Sequence, residues 1–264
     1  MKRLIKWILN HLPRTFMQRV AGWAVPLVGL LYVGRGRRCP ICGTSRRHFL
    51  PYGYTEPREE ALCPSCLSLE RHRMLWLFLK QSGLPMKGRM LHIAPEVCLK
   101  ERLRREMIAG GGDYLTADLE SPLADLHFDV QQIPLDDEYA SIIICNHLME
   151  HVADERKALD ELYRVMRRGG WGVMLSPVDL ERDKTFEDDS ITDPDERTRI
   201  FGQYDHRRIY GRDYADRLRR AGFEVEDIDF VGQLSTAERQ EMALFVNRDN
   251  SLRRADHIYL VRKA

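Results

Sequence analysis

No acidic residue occurs before Glu56, no segment repeats, no tract is of low complexity, and no apolar run is long enough to cross a bilayer. A spanning helix needs about 20 apolar residues. The best candidate, Val20 to Val33, offers only about 14, broken by Gly22, Pro26 and Gly29, so no transmembrane span is expected. A small-residue cleavage site of the secretory kind is also missing. The protein is therefore expected to be cytoplasmic. The first twelve residues are basic and amphipathic, and two readings of residues 1–33 stay open: a helical hairpin packed on the body, or peripheral contact with a membrane surface.

The chain has 264 residues, 44% hydrophobic and 31% charged, which suits one large globular domain with a small appended module. Net charge is only +1, but it is split. Residues 1–80 carry 14 basic against 4 acidic side chains, and the remainder 27 against 36. A basic module facing an acidic body, or an anionic partner, follows from that asymmetry.

Four of the six cysteines fall in two pairs, Cys39-x2-Cys42 and Cys63-x2-Cys66, with the stretch Gly43 to Leu62 between them. Two close pairs of this kind read as ligands of one ion rather than as a disulfide framework. Each knuckle presents two thiolates, and four thiolates complete a tetrahedral, closed zinc shell with no place for water. The expected role is structural, because a segment this small cannot build its own core. Cys98 and Cys145 lie in apolar surroundings and read as buried thiols. Arg35, Arg37, Arg38, Arg46, Arg47 and His48, with Phe49, Tyr52 and Tyr54, would give a cationic, aromatic face for nucleic acid. A solvated basic face packed on the acidic body is the alternative.

Residues 34–66 are punctuated by glycine and proline. A helix is expected over Leu67–Gln81, ending at Ser82-Gly83-Leu84-Pro85. Strands and helices then alternate, as in a parallel α/β sheet: strands at Arg89–Ala94, Asp113–Asp118, Asp125–Asp129, Tyr139–Cys145, Trp171–Ser176, Phe223–Phe230 and His257–Arg262, with helices at Glu96–Ile108, Asp154–Arg167 and Gly211–Arg220. Gly169-Gly170 is expected to stop the second of these helices. The domain reading is a basic segment over 1–36, a zinc ribbon and linker helix over 37–83, and a ligand-binding domain over 84–264 with an insertion at about 179–210.

Ligands of open α/β sheets bind outside the carboxyl ends of the strands. Asp118 ends the second strand, where a carboxylate can accept both hydroxyls of a ribose. Asp129 follows the next strand and suits an adenine amino group, with the backbone of Val130 beside the ring. Asn146 and His147 leave the fourth strand toward the same crevice. Two acidic strand ends followed by this Asn-His exit point to a nucleoside.

The run Ile133-Pro134-Leu135, then Asn146-His147-Leu148-Met149-Glu150-His151-Val152, then Glu161-Leu162-Tyr163-Arg164-Val165-Met166 and Gly169-Gly170-Trp171, resembles class I S-adenosylmethionine-dependent methyltransferases of the type-11 kind. Cys39 to Arg73, including Ser68-Leu69-Glu70-Arg71-His72-Arg73, and Phe201 to His206 resemble a bacterial subgroup with a four-cysteine zinc ribbon in front. The resemblance implies a Rossmann-like sheet with helices on both faces, S-adenosylmethionine as methyl donor, and cofactor contacts from His92, Ala94, Glu96, Asp118, Asp129, Val130 and Asn146. One departure stands out. Members carry an acidic residue and then G-x-G-x-G after the first strand, where this chain has His92-Ile93-Ala94-Pro95-Glu96. The methionine end must be held differently, or the site has lost it.

Methyl transfer needs alignment and exclusion of water more than it needs side chains. A hydroxyl acceptor would call for a base, and His147, His151 and His206 are the candidates. Some quinone and RNA methyltransferases hold a divalent metal with Glu-x-x-Glu-His at similar positions. Here His147 replaces the first Glu, a poor match to hard Mg2+. Polar packing at the helix start is the plain alternative. The stretch Asp179–Tyr210 reads as an acceptor lid, with His206, Arg208 and Tyr210 gripping an anionic substrate or merely ordering the insertion. The acceptor is expected to be a small molecule or a lipid-like envelope precursor. An RNA acceptor guided by the ribbon, and a non-catalytic cofactor-binding scaffold, are the two rival readings.

Overall fold

The computed structural model describes residues 29–53, 57–244 and 257–264. The readings of residues 1–28, Tyr54 and Glu56 lie outside the described residues.

In the front part, β1 (Val33–Arg38) pairs antiparallel with β2 (Ser45–Arg46), and β3 (Leu50–Tyr52) with β4 (Arg58–Leu62). Helix α1 covers Glu70–Gln81 and so starts later than the Leu67 that the sequence suggests. Leu67 takes φ +60, a left-handed conformation that a leucine helix interior cannot contain, and the Ser68 carbonyl accepts from Cys63 N at 2.9 Å. The chain turns back on the second cysteine knuckle before the helix begins.

The body follows: β5 (Arg89–Ile93), α2 (Val97–Ala109), β6 (Asp113–Asp118), β7 (Leu126–His127), β8 (Ala140–Asn146), α3 (Glu155–Val165) and β9 (Met166–Leu175). Then come β10 (Phe186–Glu187), α4 (Pro194–Phe201), β11 (Arg208–Ile209), α5 (Tyr214–Arg220), β12 (Glu224–Ile228), α6 (Phe230–Gln233), α7 (Thr236–Glu241) and β13 (Ile258–Arg262). Seven strands form one sheet in the order β12-β13-β9-β8-β5-β6-β7. The five from β9 to β7 are parallel, and β13 runs antiparallel between β9 and β12.

Strand side chains alternate between faces, and the sequence exploits both. Met90, Ile142, Ile144, Val173 and Leu260 pack with Leu75 of α1 and Leu99 and Leu103 of α2. Leu91, Ile143, Cys145, Met174 and Val261 pack with Leu159 and Leu162 of α3 and Leu218 of α5. A helix layer thus covers each face of the Rossmann-like sheet, which is why Ile142-Ile143-Ile144 is apolar throughout. Ile41 and Phe49 of the front part join the first of these clusters. The four-cysteine region shares its core with the sheet through α1.

Two local expectations change. Helix α3, capped by Asp154 accepting from Lys157 N, ends at Val165, and β9 starts at Met166. The Gly169-Gly170 pair lies inside the strand rather than after the helix: Gly169 has φ +68, and the backbone kinks there while pairing resumes at Ile142–Trp171. The insertion over 179–210 is not a bare loop either, since β10 pairs with β11 and α4 stands between them.

Candidate functional site

Strand β5 is flanked by β6 on one side and β8 on the other. The chain leaves β5 toward β6 and later returns to its opposite edge, so the crevice outside the carboxyl ends of β5 and β8 is the topological switch point, where open α/β sheets take ligands. Both exits are held in unusual backbone. Ala94 has φ +52 and His147 φ +49, left-handed conformations that cost energy in non-glycine residues and gather at functional sites. Each is pinned by its own amide: Ala94 N donates to Ala117 O at 2.8 Å and His147 N to Leu175 O at 2.7 Å. Ala94 therefore makes the turn that a glycine makes elsewhere, with one methyl added.

Behind that turn lies a polar chain. The Tyr114 hydroxyl donates to His92 Nδ1 at 2.8 Å, and His92 Nε2 donates to Glu96 Oε2 at 2.8 Å. The other carboxylate oxygen of Glu96 accepts from Asn146 Nδ2 at 3.0 Å. Burial opposes ionisation of Glu96, but the His92 bond, the neighbouring imidazoles and Asn146 outweigh it and hold its pKa down at about 2. His92 is fully buried with both nitrogens engaged, so it reaches the crevice only by orienting Glu96. That departs from the direct cofactor contact expected of His92, and the reason is the strand itself: His92 points into the face covered by α1 and α2.

Asp118 ends β6 as expected, and its Oδ1 accepts from Glu120 N at 2.9 Å and Ser121 N at 2.7 Å. These bonds shape the turn and fix the carboxylate at the strand end. Asp129 lies just beyond β7 and is held by Gln131, whose amide N and Nε2 donate at 2.8 and 3.1 Å to its Oδ1. Val130 is buried on the α3 side of the sheet.

Beyond β8 a second polar cluster forms. His147 Nδ1 stands 3.3 Å from Glu150 Oε1, and Ser176 donates to Glu150 Oε2 at 3.1 Å. His151 Nδ1 is 3.4 Å from Asp205 Oδ2, and the His151 and His206 rings meet edge-on with centroids 4.7 Å apart. Glu150, His151 and His206 each offer a ligand atom, all within 4.8 Å of one another. Burial resists charge on Glu150, yet His147 and His151 keep its pKa at about 2. Burial also opposes charging of His151, but Asp205 and Glu150 raise its pKa above the ordinary value. His206 goes the other way, lowered chiefly by burial. Two adjacent histidines are thus pushed apart in acidity.

Arg208 and Tyr210 are committed to the protein's own groups. Arg208 is 3% exposed and spends its guanidinium on Met149 O at 2.6 Å, Val152 O at 2.7 Å and Glu187 Oε2 at 2.9 Å. The Tyr210 hydroxyl donates to Glu155 Oε1 at 2.6 Å inside the core. Both order the turn after β8 and tie the insertion to it. Asp205 was not foreseen; nothing in its sequence surroundings signals that it meets His151, a residue on a different element far back along the chain.

Cys39, Cys42, Cys63 and Cys66 converge, their sulfurs all within 4.8 Å. The Cys39–Cys66 and Cys42–Cys63 separations are 3.6 and 3.9 Å. Thiolates about 2.3 Å from a shared zinc ion stand about 3.8 Å apart in a tetrahedron, so the donor set fits zinc. Ser68 Oγ lies 3.3 Å from Cys39 Sγ and accepts from Cys66 Sγ at 3.2 Å, and Thr44 Oγ1 lies 3.0 Å from Cys42 Sγ. Arg73, fully buried, donates to Ala61 O and Ser68 O at 2.9 and 2.8 Å and to Met242 O and Ala243 O at 2.9 and 2.7 Å. It fastens the cysteine region to the end of α7. Cys98 and Cys145 are buried, and burial pushes both thiols above their ordinary pKa.

The basic face is less aromatic than expected. Phe49 is 1% exposed beneath the Arg73 guanidinium at 4.9 Å. Arg37 pairs with Glu60 at 2.9 Å through Nε and Arg46 donates to Ser65 at 2.8 Å, while Arg35, Arg38, Arg47 and His48 are exposed.

Sheet order and the topological switch point together define a Rossmann-like α/β protein. Residues 91–174 match the family model described as a methyltransferase domain, and a four-cysteine cluster lies ahead of that stretch. No protein of curated function matches the chain. Among solved structures, it is similar to an S-adenosylmethionine-dependent methyltransferase from Mesorhizobium loti, at 13% identity over 72% of this chain and 98% of that one, TM-score 0.49. It is also similar to the YcgJ protein of Bacillus subtilis, at 14% identity over 73% and 99%, TM-score 0.46. Among the described residues, no helix is long and apolar enough to cross a membrane.

Proposed function

We propose that the chain transfers a methyl group from S-adenosylmethionine to a hydroxyl-bearing acceptor, a small molecule or lipid-like precursor, bound beside the histidine cluster. The observation that carries this reading is the topological switch point of the sheet, bordered by the left-handed Ala94 and His147 within the stretch that matches the methyltransferase-domain model. Asp118 would accept the ribose hydroxyls, Asp129 and the backbone of Val130 would hold the adenine, and Glu96 and Asn146 would face the methionine end. The cofactor supplies a methyl already activated on sulfonium sulfur, so the protein's task is to align the acceptor and keep water out.

The proton of the acceptor hydroxyl falls to a histidine. His206, kept neutral by burial, is suited to take it, and His151, made more basic by Asp205 and Glu150, is suited to hold positive charge beside it. His147 orients Glu150. Zinc at the four cysteines is the proposed structural metal. Isothermal titration with S-adenosylhomocysteine, followed by an acceptor screen with labelled cofactor, tests the proposal; a zinc-loaded protein that binds no adenosyl ligand would refute it. The exposed Arg35, Arg38, Arg47 and His48 favour RNA as the second choice of acceptor, and an affinity for RNA that falls steeply with salt is its signature.

A further inference from the structure

The family's glycine loop is absent here, and the structure offers a substitute from an unexpected element. His72 lies in the first turn of α1, just after the second cysteine knuckle. Its ring is 8% exposed. Leu69 N donates to His72 Nδ1 at 3.1 Å, and the Cys98 thiol lies 3.3 Å from the same nitrogen. With Nδ1 committed as acceptor, the ring proton belongs on Nε2. That Nε2 is buried with no hydrogen-bond partner. The nearest carboxylate oxygen, Glu96 Oε1, is 4.0 Å away, beyond hydrogen-bond reach.

Asn146, 4% exposed, shows the complementary deficit. Its Nδ2 donates to Glu96, while its Oδ1 is buried and unpartnered. A buried donor and a buried acceptor therefore stand unsatisfied on two residues that both approach Glu96 Oε1, at the switch point. Such groups are costly when left alone and are rare in native structures. A ligand that satisfies both needs an acceptor for His72 Nε2–H and a donor for Asn146 Oδ1 and Glu96. An α-amino acid end supplies that pair: a carboxylate and an ammonium on one carbon.

We propose that His72, Glu96 and Asn146 form the subsite for the methionine carboxylate and ammonium of the cofactor, with His72 delivered by the four-cysteine module rather than by the sheet. His72 takes the carboxylate, and Glu96 with Asn146 takes the ammonium. The cysteine module then serves the cofactor crevice directly. Ser68 touches two cysteine sulfurs and Arg73 locks its carbonyl, so the metal knuckle sets the position of the turn that carries His72. This inference rests on the cofactor reading above.

The test compares two probes on the full-length, zinc-loaded protein by calorimetry. S-Adenosylhomocysteine carries the amino acid end, and 5′-methylthioadenosine lacks it. His72→Asn and His72→Ala are expected to weaken the first by at least about tenfold and to leave the second as in the parent, which also shows that the variants are folded. Asn146→Ala is expected to behave alike. Equal losses for both probes, or no loss for either, would overturn the subsite while leaving the cofactor reading in place. A parent protein that binds neither probe would overturn both.

Discussion

The cysteine cluster and the histidine cluster are built from the same kind of material, ligand-type side chains brought within 4.8 Å of each other, yet they differ in every other respect. The cysteine cluster is closed: four identical soft donors from two short knuckles, three hydroxyl contacts from Ser68 and Thr44, and a buried arginine fastening its backbone. The histidine cluster is mixed and split in acidity. Glu150 and His151 follow β8, whereas His206 arrives from the insertion, well downstream in the chain. Local, saturated geometry suits a fixed structural role. An assembly of unlike groups closed by a separate segment suits a role in which something enters and leaves.

The contrast breaks most sharply under metal removal. Cys63→Ser/Cys66→Ser should abolish zinc in elemental analysis and melt the front part, because structural zinc sites supply about 10–16 kcal/mol toward folding in small modules. Since Ile41, Phe49 and α1 share the core of one sheet face, adenosyl-ligand binding should be lost as well. A variant that lacks zinc yet binds S-adenosylhomocysteine like the parent would separate the two regions and undo the coupling between them.

The histidine cluster should respond in the opposite manner. His206→Ala is expected to lower turnover by about 10²-fold with cofactor affinity and zinc content unchanged. If chelation of a weakly held ion removes activity and an added divalent metal restores it, with the cysteine zinc still in place, then Glu150, His151 and His206 are ligands and the base assignment is wrong. Asp118→Ala comes next in size. Loss of a carboxylate that accepts two hydroxyls should weaken S-adenosylhomocysteine by at least about tenfold and barely move the melting temperature, since the Asp118 bonds in the structure support only its own turn.

The same contrast explains what could be read from the sequence. Cysteine spacing encodes the four-cysteine cluster within the short stretch from Cys39 to Cys66, and the alternation of strands and helices encodes the sheet, so Asp113–Asp118 matches its strand end to end. What escaped reading depends on distant partners. The sequence around His92 cannot say that Tyr114 and Glu96 will take both its nitrogens, nor can Arg208 announce that it will meet carbonyls of Met149 and Val152. Glycines misled for a related reason: Gly169-Gly170 reads as a helix stop, but Gly169 serves a φ of +68 inside β9, and a Cβ at Gly170 or Gly172 would come within 2.7 Å of Arg167 O or 2.5 Å of Ile143 O. His72 stood inside a run singled out only by resemblance, and its role emerges from two unsatisfied atoms that exist only in the folded chain.

The smallest expected effect tests the acidity split directly. His151 is raised above its ordinary pKa of 6.5 despite burial, because Asp205 and Glu150 favour its charged form. A raised histidine contributes stability that is complete below the unfolded pKa and disappears as pH climbs through the folded value. Asp205→Asn removes one of the two carboxylates. The His151 pKa, followed by NMR titration of its ring protons, should fall, and burial should then carry it toward or below 6.5. The stability difference between parent and variant should be about 0.5–1 kcal/mol at about pH 5.5 and shrink toward zero at about pH 8.5, the modest size reflecting a pair that solvent partly screens. A difference that stays constant across this range would mean that Asp205 orders the insertion without tuning His151, and the pair would cease to look like an acid beside a base.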